Sequence, residues 1–256
     1  MKIGLNLYSI RKSIQDEQGF LDTCKKLKAM GYEKLHYSGA PFDVPMLKRI
    51  TEQENMPIVL THTPEKRLLE ELDTVLEEHA QVGCRYVGIG MMPVPDMKVE
   101  ESFKEKVAKY EEIAKYMSER GFTFFYHNHH YEMEKLSNGQ TRLEYMIENA
   151  PHLHFTVDIY WLQYGGANIC DYFEKLKGRM ECVHLKDFKL EWKEKDLAPR
   201  YVACGDGVIN MALCIQKGLE CGAEHFFVEQ DDACDYEDPF FEVGKSIKHI
   251  KSLEEI

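Results

Sequence analysis

Short apolar runs alternate with longer charged segments of helical period from one end of the chain to the other. Eight of the runs read as strands: Ile3–Leu7, Lys34–Tyr37, Ile58–Thr61, Tyr86–Gly90, Thr123–Tyr126, Phe155–Val157, Cys182–His184 and Phe226–Val228. Between them, apolar residues recur every three or four positions, the spacing of one helix face. Glu17–Met30 carries Phe20, Cys24, Leu27 and Met30 in this way. Lys66–Gln81 carries Leu68, Leu72, Val75 and Leu76, and Glu101–Glu119 carries Phe103, Val107, Tyr110, Ala114 and Met117. Pro45–Glu54, Arg142–Asn149, Ile169–Leu176, Asn210–Glu220 and Pro239–Leu253 are further helical segments. Gly31, Gly83, Gly121 and Gly222 follow last helical turns, where a left-handed cap suits glycine.

Strands alternating with helices imply a parallel sheet of right-handed βαβ units. Eight such units in 256 residues match a (β/α)8 TIM barrel filling residues 1–256 as a single domain. A doubly wound open sheet is the main rival. No Pro/Gly/Ser-rich linker divides the chain. Asp187–Tyr201 is charged and too long for a tight turn, so it reads as a loop or lid.

Composition narrows the partners. A hydrophobic content of 44% is enough for a sizeable core, while the net charge of −12 repels phosphate backbones and anionic lipid. No nucleic acid or membrane partner is expected, and no apolar run resembles a secretory leader or a bilayer span. The eight cysteines are scattered without a CxxC pair, as reduced thiols of a cytoplasmic protein would be. A homodimer is only the default that symmetry favours.

In a barrel of this type, the C-terminal strand ends form the active rim. Strand five ends in His127-Asn128-His129-His130, with Glu132 just behind. Alternation sends His127 and His129 one way, Asn128 and His130 the other. The next three strands end in Asp158, His184 and Glu229. Each has an ordinary alternative: a helix cap for Asp158, a hydrogen-bonded core position for His184, a solvated loop for Glu229. Their coincidence on neighbouring strands favours a metal site. Two or three carboxylates with one or two imidazoles suit Mn²⁺, Fe²⁺, Co²⁺ or Zn²⁺, with Mg²⁺ less favoured beside a nitrogen ligand. Lys186, two residues past His184, is placed to hold a substrate hydroxyl or an oxyanion, or else to pair with Asp187 or Glu132. Trp161 is placed to wall a sugar's apolar face or to pack in the core. His36 and His62 end strands two and three and form a second tier of candidates. Gly205-Asp206-Gly207 looks like a phosphate cradle only superficially, because it lacks the strand–turn–helix context of a nucleotide loop.

These residues are similar to those of a known family. Gly4-Leu5-Asn6-Leu7-Tyr8-Ser9-Ile10-Arg11, Tyr126-His127-Asn128-His129-His130-Tyr131-Glu132 and Asp158-Ile159-Tyr160-Trp161 come first. His184-Leu185-Lys186-Asp187, Gly205-Asp206-Gly207 and Val228-Glu229-Gln230-Asp231 follow in order. The chain resembles the sugar phosphate isomerase/epimerase branch of the xylose-isomerase-like TIM-barrel superfamily. The resemblance implies a divalent metal held by Glu, Asp, His and Glu from strands five to eight. Asp158, His184 and Glu229 match that pattern. Many relatives place the first glutamate where this chain has Tyr126 or His127, so Glu132 is taken as the fourth ligand and His127 as its substitute.

The expected activity is metal-dependent isomerisation or epimerisation of a small keto-sugar or keto-cyclitol through an enediolate. Glu132 or Glu229 would be the base, with substrate contacts from His62, His127, His129, Trp161 and Lys186. Dehydration of an inosose or keto-sugar is the alternative at the same site, and a non-catalytic sugar-binding barrel is an alternative of another class. Phosphodiester cleavage is disfavoured by the charge. No cluster of Arg, Ser and Gly at the mouth demands a phosphorylated substrate.

Overall fold

The computed structural model describes residues 2–253. Eight parallel strands close into a barrel: β1 (Ile3–Asn6), β2 (Lys34–Tyr37), β3 (Ile58–His62), β4 (Tyr86–Ile89), β5 (Thr123–His127), β6 (His154–Asp158), β7 (Cys182–Leu185) and β10 (His225–Val228). β10 pairs with β7 on one side and closes on β1 on the other, with Ile3 opposite Phe226. This is the (β/α)8 barrel, and the open-sheet rival is excluded by its closure. Helices α1 (Glu17–Met30), α2 (Val44–Glu54), α3 (Glu65–Glu70), α4 (Leu72–Gln81), α5 (Val94–Lys98) and α6 (Glu100–Ser118) lie between strands of the first half. The second half carries α7 (Arg142–Asn149), α8 (Ile159–Tyr164), α9 (Ile169–Lys175), α10 (Met211–Glu220) and α11 (Pro239–Ser252).

Two segments differ from the sequence reading. The helix expected over Lys66–Gln81 breaks at Glu71, whose φ of −136° and ψ of 32° are not helical. Arg67 spans the break, bonding Glu71 at 3.1 Å and Glu78 at 2.9 Å. Asp187–Tyr201 is not a loop. It forms an antiparallel hairpin of β8 (Asp187–Lys193) and β9 (Asp196–Val202), with Leu190, Trp192, Leu197 and Pro199 facing the same way by register.

Strand alternation stacks the barrel interior in layers. Leu60, Phe125, Cys182 and Phe227 are fully buried and form an apolar floor. The Phe227 ring lies so close to Gly4 that no side chain fits at that position. Two residues further along these strands, on the same face, stand His62, His127, His184 and Glu229, with Asp158 on β6 and His36 on β2. The site is therefore a polar layer over a close-packed apolar one. Among the described residues, no helix is long and apolar enough to cross a membrane, and all eight cysteines are free.

Candidate metal centre

β5, β6, β7 and β10 each deliver one donor to a common point. One ligand atom from each of His127, Asp158, His184 and Glu229 lies within 4.8 Å of the others, and all four residues are buried. Asp158 both caps a helix and faces the cluster. Its Oδ1 caps α8 by accepting from the Trp161 N–H at 3.0 Å, while Oδ2 faces His127 Nε2 at 3.4 Å and His184 Nδ1 at 3.8 Å. Asn128 on the opposite face of the chain fixes this strand end. Its Oδ1 accepts from Asp158 N at 2.9 Å, and its Nδ2 donates to Asp158 O at 3.4 Å.

His127 has a defined tautomer. Nδ1 lies 3.1 Å from the Gly90 carbonyl, which can only accept, so Nδ1 carries the proton and Nε2 is left for the cluster. His184 turns Nδ1 towards Glu229 and His127, and its Nε2 lies 2.9 Å from His36 Nδ1. Glu229 closes against His184 Nδ1, yet its Oε2 lacks an aligned hydrogen-bond donor and is buried.

Lys186 is fully buried beside these groups. Its Nζ lies 2.7 Å from Asp231 Oδ2 and 3.7 Å from both Asp158 Oδ2 and Glu229 Oε1, beneath Trp161 at 4.8 Å and Tyr201 at 5.0 Å. It pairs with neither Asp187 nor Glu132. Burial opposes the Lys186 charge, but Glu229, Asp158 and Asp231 outweigh it and raise the pKa. Burial likewise works against the Glu229 carboxylate, and Lys186 and His184 overcome it to hold the pKa well below the usual range. Burial also disfavours a charged His127, but its Asp158 hydrogen bond and Glu229 raise its pKa. Burial pushes His36, His62 and His129 well below the ordinary imidazole value, so they stay neutral near pH 7.

Glu132 does not join the cluster. Its buried carboxylate accepts from the Tyr126 hydroxyl at 2.5 Å and from His129 N at 2.8 Å. The chain leaves the strand after His127 and turns through Tyr131–Met133, so Glu132 points back beneath its own loop. Its place is taken by His127.

The cluster opens on a cavity of about 320 Å³ lined by Asn6, Tyr8, His62, His129, Glu229 and Asp231, among others. That is the lower end of the range for small-ligand sites, about 300–1,000 Å³. Besides Glu229 Oε2, three polar atoms of its lining residues, Asn6 Nδ2, His62 Nε2 and His129 Nδ1, are buried without partners. His127 and His129 share a face as alternation requires, with rings 4.6 Å apart. The chain has left the strand by His130, and the rings of His129 and His130 both lie 5.1 Å from Trp161, with His130 stacked on it. Sequence reasoning gave no role to Asn6, Asn128 or Asp231, although Asn6 and Asp231 sit at strand ends like the residues it selected.

Gly205-Asp206-Gly207 does cradle an anion, but from the same chain. The N–H groups of Gly205 and Gly207 converge on Asp187 Oδ2 at 3.0 and 3.2 Å, and those of Phe188 and Ile209 on Oδ1 at 2.9 and 3.1 Å.

The four-donor cluster suits a divalent cation. With carboxylates ionised and imidazoles neutral, Asp158, Glu229 and Asp231 exceed Lys186 by two negative charges in a buried volume. A divalent ion would compensate both, and the mixed nitrogen and oxygen donors suit Mn²⁺, Fe²⁺, Co²⁺ or Zn²⁺.

The sequence model of the xylose isomerase-like TIM barrel family matches residues 24–253. Among solved structures, a sugar phosphate isomerase/epimerase from Parabacteroides distasonis superposes with a TM-score of 0.79 at 21% identity, over 97% of this chain and 96% of that one. A D-allulose 3-epimerase from Methylomonas sp., in complex with D-allulose, gives 0.72 at 13% identity over 98% and 96%. A probable 3-DHS dehydratase involved in petrobactin synthesis, from Bacillus anthracis, gives 0.73 at 13% over 98% and 99%. At these identities the likeness is one of fold. No curated protein matches the chain.

Proposed function

The chain belongs to the xylose isomerase-like TIM barrel family, and on that premise we propose that it is a divalent-metal-dependent isomerase or epimerase of a small keto-sugar or keto-cyclitol. The observation that carries this reading is the buried cluster of His127, Asp158, His184 and Glu229 at the base of a small polar cavity. When bound by these four residues, a divalent cation would supply Lewis acidity to a substrate carbonyl and so acidify the adjacent C–H.

The remaining work falls to the chain's own groups. Glu229 lines the cavity and is positioned to take the C–H proton as general base. Lys186, a fixed ammonium held by three carboxylates, stabilises the negative charge of the resulting enediolate without needing to reorganise. His129 presents a neutral imidazole to the same cavity, placed to hydrogen-bond the enediolate, and the proton comes back from Glu229 or from solvent. Return to the opposite face of the same carbon gives epimerisation, and return to the neighbouring oxygen-bearing carbon gives isomerisation. Trp161, over the Lys186 ammonium, offers an apolar wall at the edge of the site. Dehydration is the second reading, because loss of a β-hydroxyl from the same enediolate gives an unsaturated product.

The test is solvent deuterium incorporation into a panel of unphosphorylated and phosphorylated ketoses and inososes, with product analysis. We expect exchange with at least one ketose, lost on chelation and reduced at least 100-fold in Glu229→Gln. Full exchange after both changes would refute the mechanism, and an unsaturated product would select the dehydratase reading.

A further inference from the structure

The geometry points to His36 as a positioning residue for the proposed metal, acting through the ring of His184. This rests on the metal reading above. His36 is fully buried beneath the cavity and contacts none of the four donor atoms except through His184. Its Nδ1 lies 2.9 Å from His184 Nε2, on the side of that ring turned away from the cluster. For His184 to offer the Nδ1 lone pair to a cation, its proton must sit on Nε2 and find an acceptor there. His36 Nδ1 is that acceptor, which places the His36 proton on Nε2.

Two further features show that this arrangement is maintained at a cost. First, His36 Nε2 is buried without a partner. An unsatisfied buried N–H is unfavourable, and an apolar residue against the Phe227 and His62 rings would avoid it. Second, the β2–β3 register shifts between Leu35 and His36, so that Leu35 pairs with Ile58 but His36 with Leu60. A local irregularity of this kind re-aims a side chain beside a site. The ring it re-aims meets His62 edge-on at 4.2 Å and His184 at 5.0 Å.

His36, His62 and His184 are themselves close enough to hold an ion. Charge argues for the hydrogen-bond role instead. The trio contains no carboxylate, and the two excess negative charges nearby are already matched by one divalent cation. A second buried dication would remain uncompensated.

The experiment is calorimetric titration of the metal-stripped protein with Co²⁺, with visible spectra of the loaded forms, for the parent, His36→Phe and His36→Gln. A glutamine oxygen can still accept from His184 Nε2; phenylalanine cannot. We expect one equivalent in each, affinity 10–100-fold weaker in His36→Phe with a changed Co²⁺ spectrum, and affinity within about threefold of the parent in His36→Gln. Equal affinity and identical spectra in all three would overturn the inference while leaving the metal reading intact. A second equivalent in the parent, lost in both variants, would overturn it in favour of a second ion. No binding by the parent would refute the metal reading itself. Should His36→Phe fail to fold, His36→Leu takes its place as the non-accepting variant.

Discussion

Asp187→Asn is an isosteric change that should cost far more than its size suggests. The Asp187 carboxylate is fully buried and accepts four backbone N–H groups, two on each oxygen, at 2.9–3.2 Å. An amide keeps one acceptor oxygen and turns an NH₂ donor towards the other pair. Two buried N–H donors then lose their acceptor and face another donor. Each unsatisfied buried donor costs about 1–3 kcal/mol, and the two surviving bonds lose their charge assistance. Allowing for relaxation, the loss is about 3–5 kcal/mol, a large part of the roughly 5–15 kcal/mol that holds a domain together. Urea unfolding followed by far-ultraviolet circular dichroism should show the midpoint falling with an unchanged slope. Asp206→Asn is the internal control. It lies in the same turn, but its carboxylate is half exposed and pairs with Lys245 at the surface, so its loss should stay below about 1 kcal/mol. If Asp187→Asn lies within 1 kcal/mol of the parent, the account of that turn as a built-in anion cradle is wrong.

Adding Mn²⁺, Co²⁺ or Zn²⁺ at about 100 times its dissociation constant should stabilise the protein by about 2.7 kcal/mol, or roughly 5–10 °C in melting temperature, reversed by a chelator and absent in Asp158→Asn. Asn128→Ala removes the partner of the buried Asp158 N–H. It should weaken metal binding about tenfold and cost about 1–3 kcal/mol in urea unfolding. At the other end of the barrel, burial pulls the Lys34 pKa from 10.5 down to about 8. The folded state bears the cost of that charge below pH 8 and sheds it as the pH rises towards 10.5, so this contribution makes stability increase over that window. Lys34→Met loses a hydrogen bond to His225 Nδ1 but removes the larger charge penalty. It should therefore be about 1–2 kcal/mol more stable than the parent at pH 7, and chemical unfolding should show the advantage vanishing by about pH 10.5.

The barrel and three of the clustered donors were legible in the sequence because both depend on simple periods. The rule that barrel strand ends form the active rim placed Asp158, His184 and Glu229 together, and alternation placed His127 beside His129. Alternation stops where the strand stops. Glu132 lies beyond it, on a turn whose direction is set by a short helical kink and by the Tyr126 hydroxyl, neither of which has a period. The hairpin did leave a signal, since Phe188, Leu190 and Trp192 alternate with Lys189, Glu191 and Lys193. Its turn hid it: Glu194 adopts a left-handed conformation with φ of 54°, where a glycine or asparagine would have announced a reversal. The break at Glu71 carries neither glycine nor proline. Asn128 was assigned its face but not its task, because its partners are the backbone atoms of a strand thirty residues away.

The two tryptophans sit in opposite surroundings, which makes the protein its own optical instrument. Trp161 is wedged between the His130 ring and the Lys186 ammonium at the edge of the site. Trp192 is 69% exposed on the outer reach of the hairpin. A neutral quencher such as acrylamide reaches the second long before the first, so one emission band divides into a solvent-facing and a site-facing component. In a Trp192→Phe protein only the site-facing component remains, and an arriving ligand would report itself as a change in intensity or colour, with no label attached.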